Sequence, residues 1–390
     1  MRFLLTALAL AAVLTACGGG SPEGPSGSSL SPSPTPGQQE APSPTATEEP
    51  TPPPDLPLQR EVVVAGAEGP VALAIAPDGR IFYNELTTGR VRVVQGGQVL
   101  PEPFAAFQVA RPPGYTEHGL LGLALDPDFP RNGFVYVFYT VPDSQGRPLH
   151  QRVVRLRDQD NRGVDATVII DGLPTGSRCC HNGGRLAFGP DGKLYISLGD
   201  AERPGEAQDP STLPGTLLRL NSDGSVPADN PFPGSPVYAY GLRNVFGIGF
   251  HPLTGELFAT ENGPSGHDEL NVIRRSANYG WPVTMGIAGD GRFVDPIWES
   301  GGRSLAPTGL TVYGGNRLPF RGDLFFCTYV GGSLLRVPAD QLQEVRDGRR
   351  AAVEPLDTGH PCRFDVKAGP DGFLYFSDAE NIYRLRPRSG

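Results

Sequence analysis

Apolar and polar residues alternate through most of this chain after residue 57, in short runs separated by turn residues. The run from Leu186 to Ile196 is representative, with an apolar stretch, the tetrad Gly-Pro-Asp-Gly and a second apolar stretch. Alternation over a few residues predicts half-buried strands, and Pro-Asp-Gly between two strands predicts a tight hairpin. Variants of this unit recur about every fifty residues, and the copies begin at Leu73, Leu123, Leu186, Ile248, Leu310 and Val366.

Self-similarity at this period, with several short strands in each copy, is typical of a β-propeller. Six copies predict an all-β, six-bladed β-propeller over residues 58–390. A β-sandwich with incidental turn repeats is the alternative fold. In a propeller, the residues just before each innermost strand meet around the central channel. The ring therefore predicts an axial cavity that gathers Glu117, His181, Arg243, Asn244 and the segment before Asp365.

The first 57 residues have a different composition. Arg2 and the apolar run that follows it are typical of a signal peptide, and the sequence Leu14-Thr-Ala-Cys17 matches a lipobox. Residues 1–17 are therefore predicted to be a lipoprotein signal peptide with Cys17 as the lipidated residue; a plain secretory signal is the alternative. Residues 18–57, rich in Pro, Ser, Thr, Gly and Glu, are predicted to be a disordered tether. The expected location is extracytoplasmic, with the protein lipid-anchored to the cell membrane or envelope and contacting the membrane through that anchor alone.

Charge and cysteine content narrow the class of protein further. The chain has 42 acidic and 33 basic residues and no basic run, which argues against nucleic acid as a partner. Cys179, Cys180, Cys327 and Cys362 remain in the exported part. Four cysteines in such a protein predict disulfides with three possible connectivities, and free or buried thiols stay open as well. A link from the Cys179–Cys180 pair to Cys362 would span the predicted cavity.

His181 is the first candidate for chemistry, because imidazole accepts a proton near neutral pH and the fold places this residue at the channel mouth. A histidine beside Asn and Gly also fits a purely structural hydrogen-bonding role. Arg243 and Asn244 supply a fixed cation and an amide at the equivalent point of the next blade. They are suited to polarising a carbonyl or holding a carboxylate, and an inter-blade salt bridge is the alternative.

A loop rich in oxygen ligands follows in the same blade. Asp268 and Glu269 offer carboxylates, while Gly263, Pro264 and Tyr279 offer main-chain carbonyls. Such a mixture suits Ca²⁺, a hard cation that takes six to eight oxygen ligands. Asp268 capping a turn is the alternative.

Five segments in order along residues 60–388 resemble the glucose/sorbosone dehydrogenase family, which includes soluble quinoprotein sugar dehydrogenases and aldose sugar dehydrogenases. The segments are Gly119–Phe129, His181–Leu186, Gly241–Asn244, Glu261 to Pro282, and Gly369–Tyr375. The resemblance implies a six-bladed propeller, calcium, and pyrroloquinoline quinone (PQQ) in the axial cavity. It implies that His181 takes the proton of a sugar's anomeric hydroxyl while hydride passes to the quinone, and that Arg243 polarises the cofactor. Glu117, Asn244 and Arg363 are the further candidate cofactor-binding residues.

Departures from the family pattern keep other functions open. Where relatives hold the cofactor's carboxylates with basic side chains, this chain has Val330, Cys362 and Phe364, although Arg363 lies nearby. Each lost charge-assisted hydrogen bond is worth about 1.5–3 kcal/mol. A PQQ-dependent oxidoreductase acting on small sugars, with an external electron acceptor that the sequence does not identify, is the leading hypothesis. One alternative is a non-catalytic, calcium-stabilised propeller that binds a glycan or another ligand without redox chemistry, and a further one is a calcium-dependent lactone hydrolase.

Overall fold

The computed structural model describes residues 58–114, 117–346 and 349–388. The predicted signal peptide, Cys17 and the predicted tether lie outside these residues. Six antiparallel sheets make up the described part, five with four strands and one with five. The innermost strands contact one another in a closed cycle, so the prediction of an all-β, six-bladed β-propeller is confirmed and the sandwich alternative is wrong.

The chain enters with β1 (Leu58–Ala65), and the other strands follow blade by blade. Blade I consists of β2 (Pro70–Ile75), β3 (Ile81–Glu85), β4 (Arg90–Gln95), β5 (Gln98–Val99) and β6 (Ala105–Ala106). Blade II consists of β7 (Leu120–Leu125), β8 (Phe134–Pro142), β9 (Pro148–Gln159) and β10 (Arg162–Leu173). Blade III consists of β11 (Gly183–Phe188), β12 (Leu194–Leu198), β13 (Thr216–Leu220) and β14 (Val237–Tyr240).

The second half of the ring has the same organisation. Blade IV consists of β15 (Val245–Phe250), β16 (Leu257–Glu261), β17 (Glu269–Ile273) and β18 (Trp298–Glu299). Blade V consists of β19 (Pro307–Val312), β20 (Leu324–Thr328), β21 (Leu334–Val337) and β22 (Glu354–Leu356). Blade VI consists of β23 (Val366–Ala368), β24 (Leu374–Ser377), β25 (Asn381–Pro387) and the N-terminal β1. Pairing of β1 with β25 closes the ring with strands from both ends of the described chain.

The helices are short. They are α1 (Phe129–Asn132), the 3₁₀ helix Pro204–Gln208 and α2 (Ala339–Arg346). Within the described ranges, none has the length and apolar character that crossing a bilayer requires.

The repeated turns form as the sequence predicts. In three Pro-Asp-Gly turns the glycine has a positive φ, at 86° for Gly79, 71° for Gly192 and 79° for Gly372. Each of these glycines donates its N–H to the residue three positions earlier, with N···O distances of 2.9, 2.9 and 3.0 Å. Because only glycine adopts this conformation without steric cost, the motif sets the hairpin locally in each blade.

The core lies between neighbouring blades. Phe138 of blade II packs with Leu186 and Ile196 of blade III in one apolar cluster, and equivalent clusters join the other blades. Inner strands approach one another so closely that a Cβ at Gly122 would collide with the main-chain oxygen of Gly184. This packing holds the ends of the inner strands in fixed positions around the axis.

The cysteines pair as Cys179–Cys180 and Cys327–Cys362, so a bridge from Cys180 to Cys362 is wrong. Blade III, which follows Cys180, lies opposite blade VI in a six-bladed ring, whereas Cys327 lies in the neighbouring blade V. Cys327 and Cys362 are both fully buried, and their Cα atoms are 5.1 Å apart. The adjacent cysteines lie in a loop rather than a strand, which removes the constraint that would point them to opposite faces.

Candidate active site

His181 lies two residues before β11, with its imidazole held by a buried carboxylate. Its Nδ1 is 2.8 Å from Oδ1 of Asp200, and the two side chains are 17% and 1% exposed. Asp200 Oδ2 accepts a second hydrogen bond from Nε1 of Trp281 at 2.8 Å. A carboxylate acceptor at Nδ1 favours the tautomer that carries its proton there, so the lone pair of neutral His181 is at Nε2. This arrangement prepares Nε2 to accept a proton.

Glu117 joins three blades at the channel mouth. Its Oε2 accepts the N–H of His181 at 2.8 Å and that of Asn182 at 3.4 Å. The amide of Asn244 donates to both Glu117 oxygens, at 3.3 and 3.2 Å. The structure therefore brings Glu117, His181 and Asn244 together, as the ring predicts, although the Glu117 carboxylate is already engaged in joining blades II, III and IV.

Arg243 lies beside this group and is almost completely buried. Its Nη1 donates to the main-chain oxygens of Asn262 and Gly263 at 2.8 and 3.1 Å, and its guanidinium lies 5.3 Å from the ring of Trp281. Burial lowers the pKa of Arg243, while nearby carboxylates, led by that of Asp200, act in the opposite direction. Nε of Arg243 has no hydrogen-bond partner among the described residues. The site thus has a desolvated cation close to the His181–Asp200 pair.

Arg185 and Asp365 lie next to each other at the axis of the propeller. Arg185 extends from the inner strand of blade III and donates to the main-chain oxygens of Val71, Phe246 and Phe364, at 2.5, 2.9 and 2.9 Å. These acceptors belong to blades I, IV and VI, so the side chain ties the ring together across the axis. The guanidinium is 3.8 Å from Asp365, whose carboxylate also accepts the N–H of Leu73 at 2.9 Å. The segment before Asp365 therefore borders the axis, as predicted.

The acidic loop of blade IV adjoins Arg243. Both oxygens of Asp268 accept main-chain N–H groups, Oδ1 from Gly263 at 2.9 Å and Oδ2 from Leu305 and Ala306 at 2.6 and 2.9 Å. This carboxylate anchors the Gly263–Pro264 turn to the segment leading into blade V. The side chain of Tyr279 is buried, and its hydroxyl donates to the main-chain oxygen of Val272. The atom of Tyr279 that is predicted to bind calcium is its main-chain carbonyl oxygen, not this hydroxyl.

Two buried glutamates lie side by side in this blade. Glu261 and Glu269 are direct partners in the β16–β17 ladder and are 4% and 6% exposed. Burial, together with Glu269, raises the pKa of Glu261 well above its ordinary value, and burial raises the pKa of Glu269 to about 7. Oε2 of Glu261 and Oδ1 of Asn271 lack hydrogen-bond partners among the described residues. Within the same residues, no three His, Cys, Asp or Glu side chains form a metal-binding group, so main-chain and amide oxygens would have to complete any cation site.

Blades V and VI border the site with fewer charges. Cys362 is fully buried in its disulfide, and Phe364 packs against the apolar cluster that joins blades II and III. Arg363 is half-buried and donates from Nη1 to the main-chain oxygen of Tyr329 at 2.6 Å. Tyr329 N–H in turn donates to the main-chain oxygen of Ala306, which places Arg363 near the segment before β19 that Asp268 holds.

Sequence reasoning missed Asp200, Trp281 and Glu261 as members of the site. The signal for Asp200 was present in the hairpin register: Gly183 pairs with Leu198, so residues 181 and 200 continue side by side beyond the strand ends. Glu261 similarly pairs with Val245, which follows the Arg243–Asn244 motif. Trp281 belongs to the last motif of blade IV, and its contact with Asp200 depends on the long loop between β17 and β18.

The chain folds as a six-bladed β-propeller with the His181–Asp200 pair beside Arg243, and comparison with known proteins identifies its family. Residues 67–385 match the model of the glucose/sorbosone dehydrogenase family. The chain belongs to this family. The expectation of a sugar-dehydrogenase-like oxidoreductase is therefore confirmed at the level of the family.

Individual relatives cover most of the chain. The aldose sugar dehydrogenase YliI of Escherichia coli is 30% identical, over 84% of this chain and 93% of its own length. The crystal structure of a putative oxidoreductase (glucose dehydrogenase) from Thermus thermophilus is 38% identical with a TM-score of 0.73, covering 84% of this chain and 99% of that one. The PQQ-bound aldose sugar dehydrogenase of Streptomyces coelicolor is 29% identical with a TM-score of 0.69, covering 85% and 99%.

Proposed function

We propose that this protein is an exported, lipid-anchored quinoprotein that oxidises aldose sugars with PQQ and calcium. The observation that carries the proposal is the His181–Asp200 pair, which leaves a basic nitrogen at the mouth of the axial cavity beside the buried cation of Arg243. Sugar oxidation at the anomeric carbon requires a base for the hydroxyl proton, and this pair supplies one.

The chain's own residues account for the proton transfer. Nε2 of His181 accepts the proton of the anomeric hydroxyl, and Asp200 stabilises the resulting imidazolium through the 2.8 Å contact at Nδ1. Glu117 fixes the main chain of His181 and Asn182 and thereby the direction of the imidazole. Bound PQQ would supply a quinone that accepts the hydride.

Two arginines support the proposal that PQQ binds here. Arg243 and Trp281 help line a cleft beside the acidic loop, and the unpaired Nε of Arg243 is a donor suited to the oxygens of a quinone or carboxylate. Arg363 would supply a second cation from blade VI.

The buried glutamates of blade IV are the main support for calcium. The unpaired oxygens of Glu261 and Asn271 are costly to bury without a cation, and Glu269 lies beside them. Gly263, Pro264 and Tyr279 would add main-chain carbonyls, and Asp268 would position the first two.

Reconstitution with PQQ and calcium tests the proposal. We expect PQQ absorbance to co-elute with the protein on gel filtration and dye reduction to follow with at least one aldose. Removing a general base typically costs about 10²- to 10⁴-fold in rate, so His181→Ala should lose turnover by that factor while retaining PQQ. His150→Gln is the matched control, because His150 lies in strand β9 of blade II beside Asp171. Absence of both retained PQQ and aldose turnover refutes the proposal.

A glycan-binding propeller is the second candidate. It is favoured because Val330, Cys362 and Phe364 occupy positions where the family pattern has basic side chains that hold the cofactor. Retention on an immobilised glycan without PQQ binding would support it. The lactone hydrolase alternative needs several carboxylates around a metal at the channel centre. Arg185 spans the axis there, and no such group forms among the described residues, so the structure offers no support for it.

Export and anchoring rest on the sequence of residues 1–57. We propose that Cys17 is acylated and that the mature protein reduces an acceptor outside the cytoplasm. Detergent-phase partitioning of the native chain, lost in Cys17→Ser, is the measurement that tests the anchor.

A further inference from the structure

The Cys179–Cys180 disulfide lies directly before His181 in the chain. Both cysteines are half-buried, in a loop that passes along the channel mouth between β10 and β11. A bond between adjacent cysteines closes a small ring through the intervening peptide, which restricts the main chain on that side of the candidate base. The ring takes no direct part in the proton transfer or in the packing between blades.

Glu202 holds the loop that contains this disulfide. Its Oε2 accepts the N–H groups of Ser177 and Arg178, both at 3.1 Å, and its Oε1 accepts those of Cys179 and Cys180 at 3.0 and 3.4 Å. Burial raises the pKa of Glu202, but these N–H groups outweigh burial and the net pKa is lowered. The carboxylate is therefore ionised at neutral pH and binds four consecutive main-chain donors.

The same loop also fixes the position of His181, through Glu117. The main-chain oxygen of Cys179 accepts the N–H of Glu117 at 2.8 Å, and the Glu117 carboxylate accepts the N–H of His181 at 2.8 Å. His181 itself has a φ of 60°, and its main-chain oxygen accepts the N–H of Ala201 at 3.0 Å. Because the left-handed region is unfavourable for a residue with a Cβ, His181 keeps this conformation only while its surroundings enforce it.

We propose that the Cys179–Cys180 ring, seated on the Glu202 carboxylate, is the positioning element that holds His181 for proton abstraction, so that thiol reductants switch the enzyme off reversibly. The inference rests on the proposed function. In the switching step, a dithiol transfers two electrons and two protons to the disulfide, and it becomes a cyclic disulfide while Cys179 and Cys180 become thiols. The half-buried ring is accessible to such a reagent, whereas Cys327 and Cys362 are fully buried.

The experiment treats the protein with dithiothreitol, removes the reagent under argon, divides the sample, and only then loads the parts to be assayed with PQQ and calcium. One part is alkylated for mass mapping, a second is assayed for kcat, KM and PQQ affinity, a third is reoxidised with diamide, and a fourth is used for amide hydrogen exchange. We expect kcat to fall about tenfold or more on reduction, since small misplacements of a catalytic group are costly, with PQQ affinity within about twofold of the oxidised value. Reoxidation should restore kcat, and exchange of the peptide covering residues 177–182 should rise about tenfold on reduction.

Two double variants assign the effect to one disulfide. Cys179→Ser/Cys180→Ser should have the low kcat from the start and be insensitive to dithiothreitol. Cys327→Ser/Cys362→Ser is the matched control and should stay sensitive. Full kcat in a sample whose mass map shows Cys179 and Cys180 reduced overturns the inference, as does unchanged exchange of residues 177–182. If no aldose is oxidised by any sample, the proposed function fails, and hydrogen exchange still decides whether the ring holds the loop.

Discussion

Asp200 is the residue whose replacement tests the geometry of the site most sharply. Its Oδ1 accepts from His181 Nδ1 at 2.8 Å and from the main-chain N–H of Glu202 at 2.9 Å, while Oδ2 accepts from Trp281 Nε1 at 2.8 Å. Both oxygens of this fully buried carboxylate therefore serve as acceptors. Asp200→Asn preserves the shape of the side chain but replaces one acceptor with an NH₂ donor.

Either orientation of the new amide disturbs the site. If the NH₂ group faces Trp281, two donors oppose each other in a buried place; if it faces His181, the imidazole must put its proton on Nε2 and loses its basic nitrogen. The carboxylate's support for the imidazolium is lost in both cases. A charge-assisted hydrogen bond is worth about 1.5–3 kcal/mol, which corresponds to a loss of about 10- to 150-fold in rate.

The assay is dye-linked aldose oxidation by Asp200→Asn loaded with PQQ and calcium, with PQQ affinity measured separately by absorbance. We expect kcat to fall by the stated factor and PQQ affinity to stay near the wild-type value. Trp281→Phe is the matched comparison, because it removes one donor to Asp200 and leaves the His181 contact in place, so its kcat should fall less. Wild-type kcat in Asp200→Asn would show that His181 does not depend on this carboxylate and would refute the reasoning.

Three further predictions concern binding and stability. Arg363→Met should weaken PQQ binding about tenfold or more through loss of a charge-assisted contact, as titration would show, whereas unchanged affinity would remove Arg363 from the cofactor site. Cys327→Ser/Cys362→Ser opens a loop of 35 residues and should lower the free energy of unfolding by roughly 3–4 kcal/mol in urea titration; a loss under about 1 kcal/mol would contradict the chain-entropy argument. Burial lowers the pKa of His118, so below about pH 6.5 the unfolded chain binds a proton that the folded chain does not, and stability falls with acidity by at most about 1.4 kcal/mol per pH unit. His118→Gln should therefore flatten the fall in unfolding free energy between about pH 6.5 and pH 5, and an unchanged slope would exclude this histidine as its source.

The repeating architecture was predictable because its signals are local. A Pro-Asp-Gly turn needs glycine at a positive φ, and the three turns at Gly79, Gly192 and Gly372 form as expected. Alternation within each copy defines which side chains pack between blades, and a hairpin built this way does not depend on distant parts of the chain. Blade V, whose copy is degenerate in sequence, forms the same four-stranded sheet because its neighbours on both sides supply apolar surfaces.

Part of the site followed from the same regularity. His181 and Asn244 come just before inner strands, so the ring alone predicts that they gather at the axis, and both bind the Glu117 carboxylate. Asp200 and Glu202 escaped prediction because they follow a second strand, where their contacts with His181 and the Cys179–Cys180 loop depend on how the chain leaves the sheet. The pairing register of β11 with β12 could have indicated the contact between Asp200 and His181, but not the contacts between Glu202 and the Cys179–Cys180 loop.

By itself, then, the sequence determined the number of blades, the hairpin turns and the residues that lead into the channel, since each depends on interactions among residues close in the chain. Only the tertiary structure decided the cysteine pairing, the closure of the ring by β1 and the engagement of Glu117 and Asp268 by main-chain donors. These features depend on which distant segments the ring brings within a few ångströms of one another. Blade III and blade VI lie on opposite sides of the axis, so Cys180 and Cys362 remain apart although both precede inner strands.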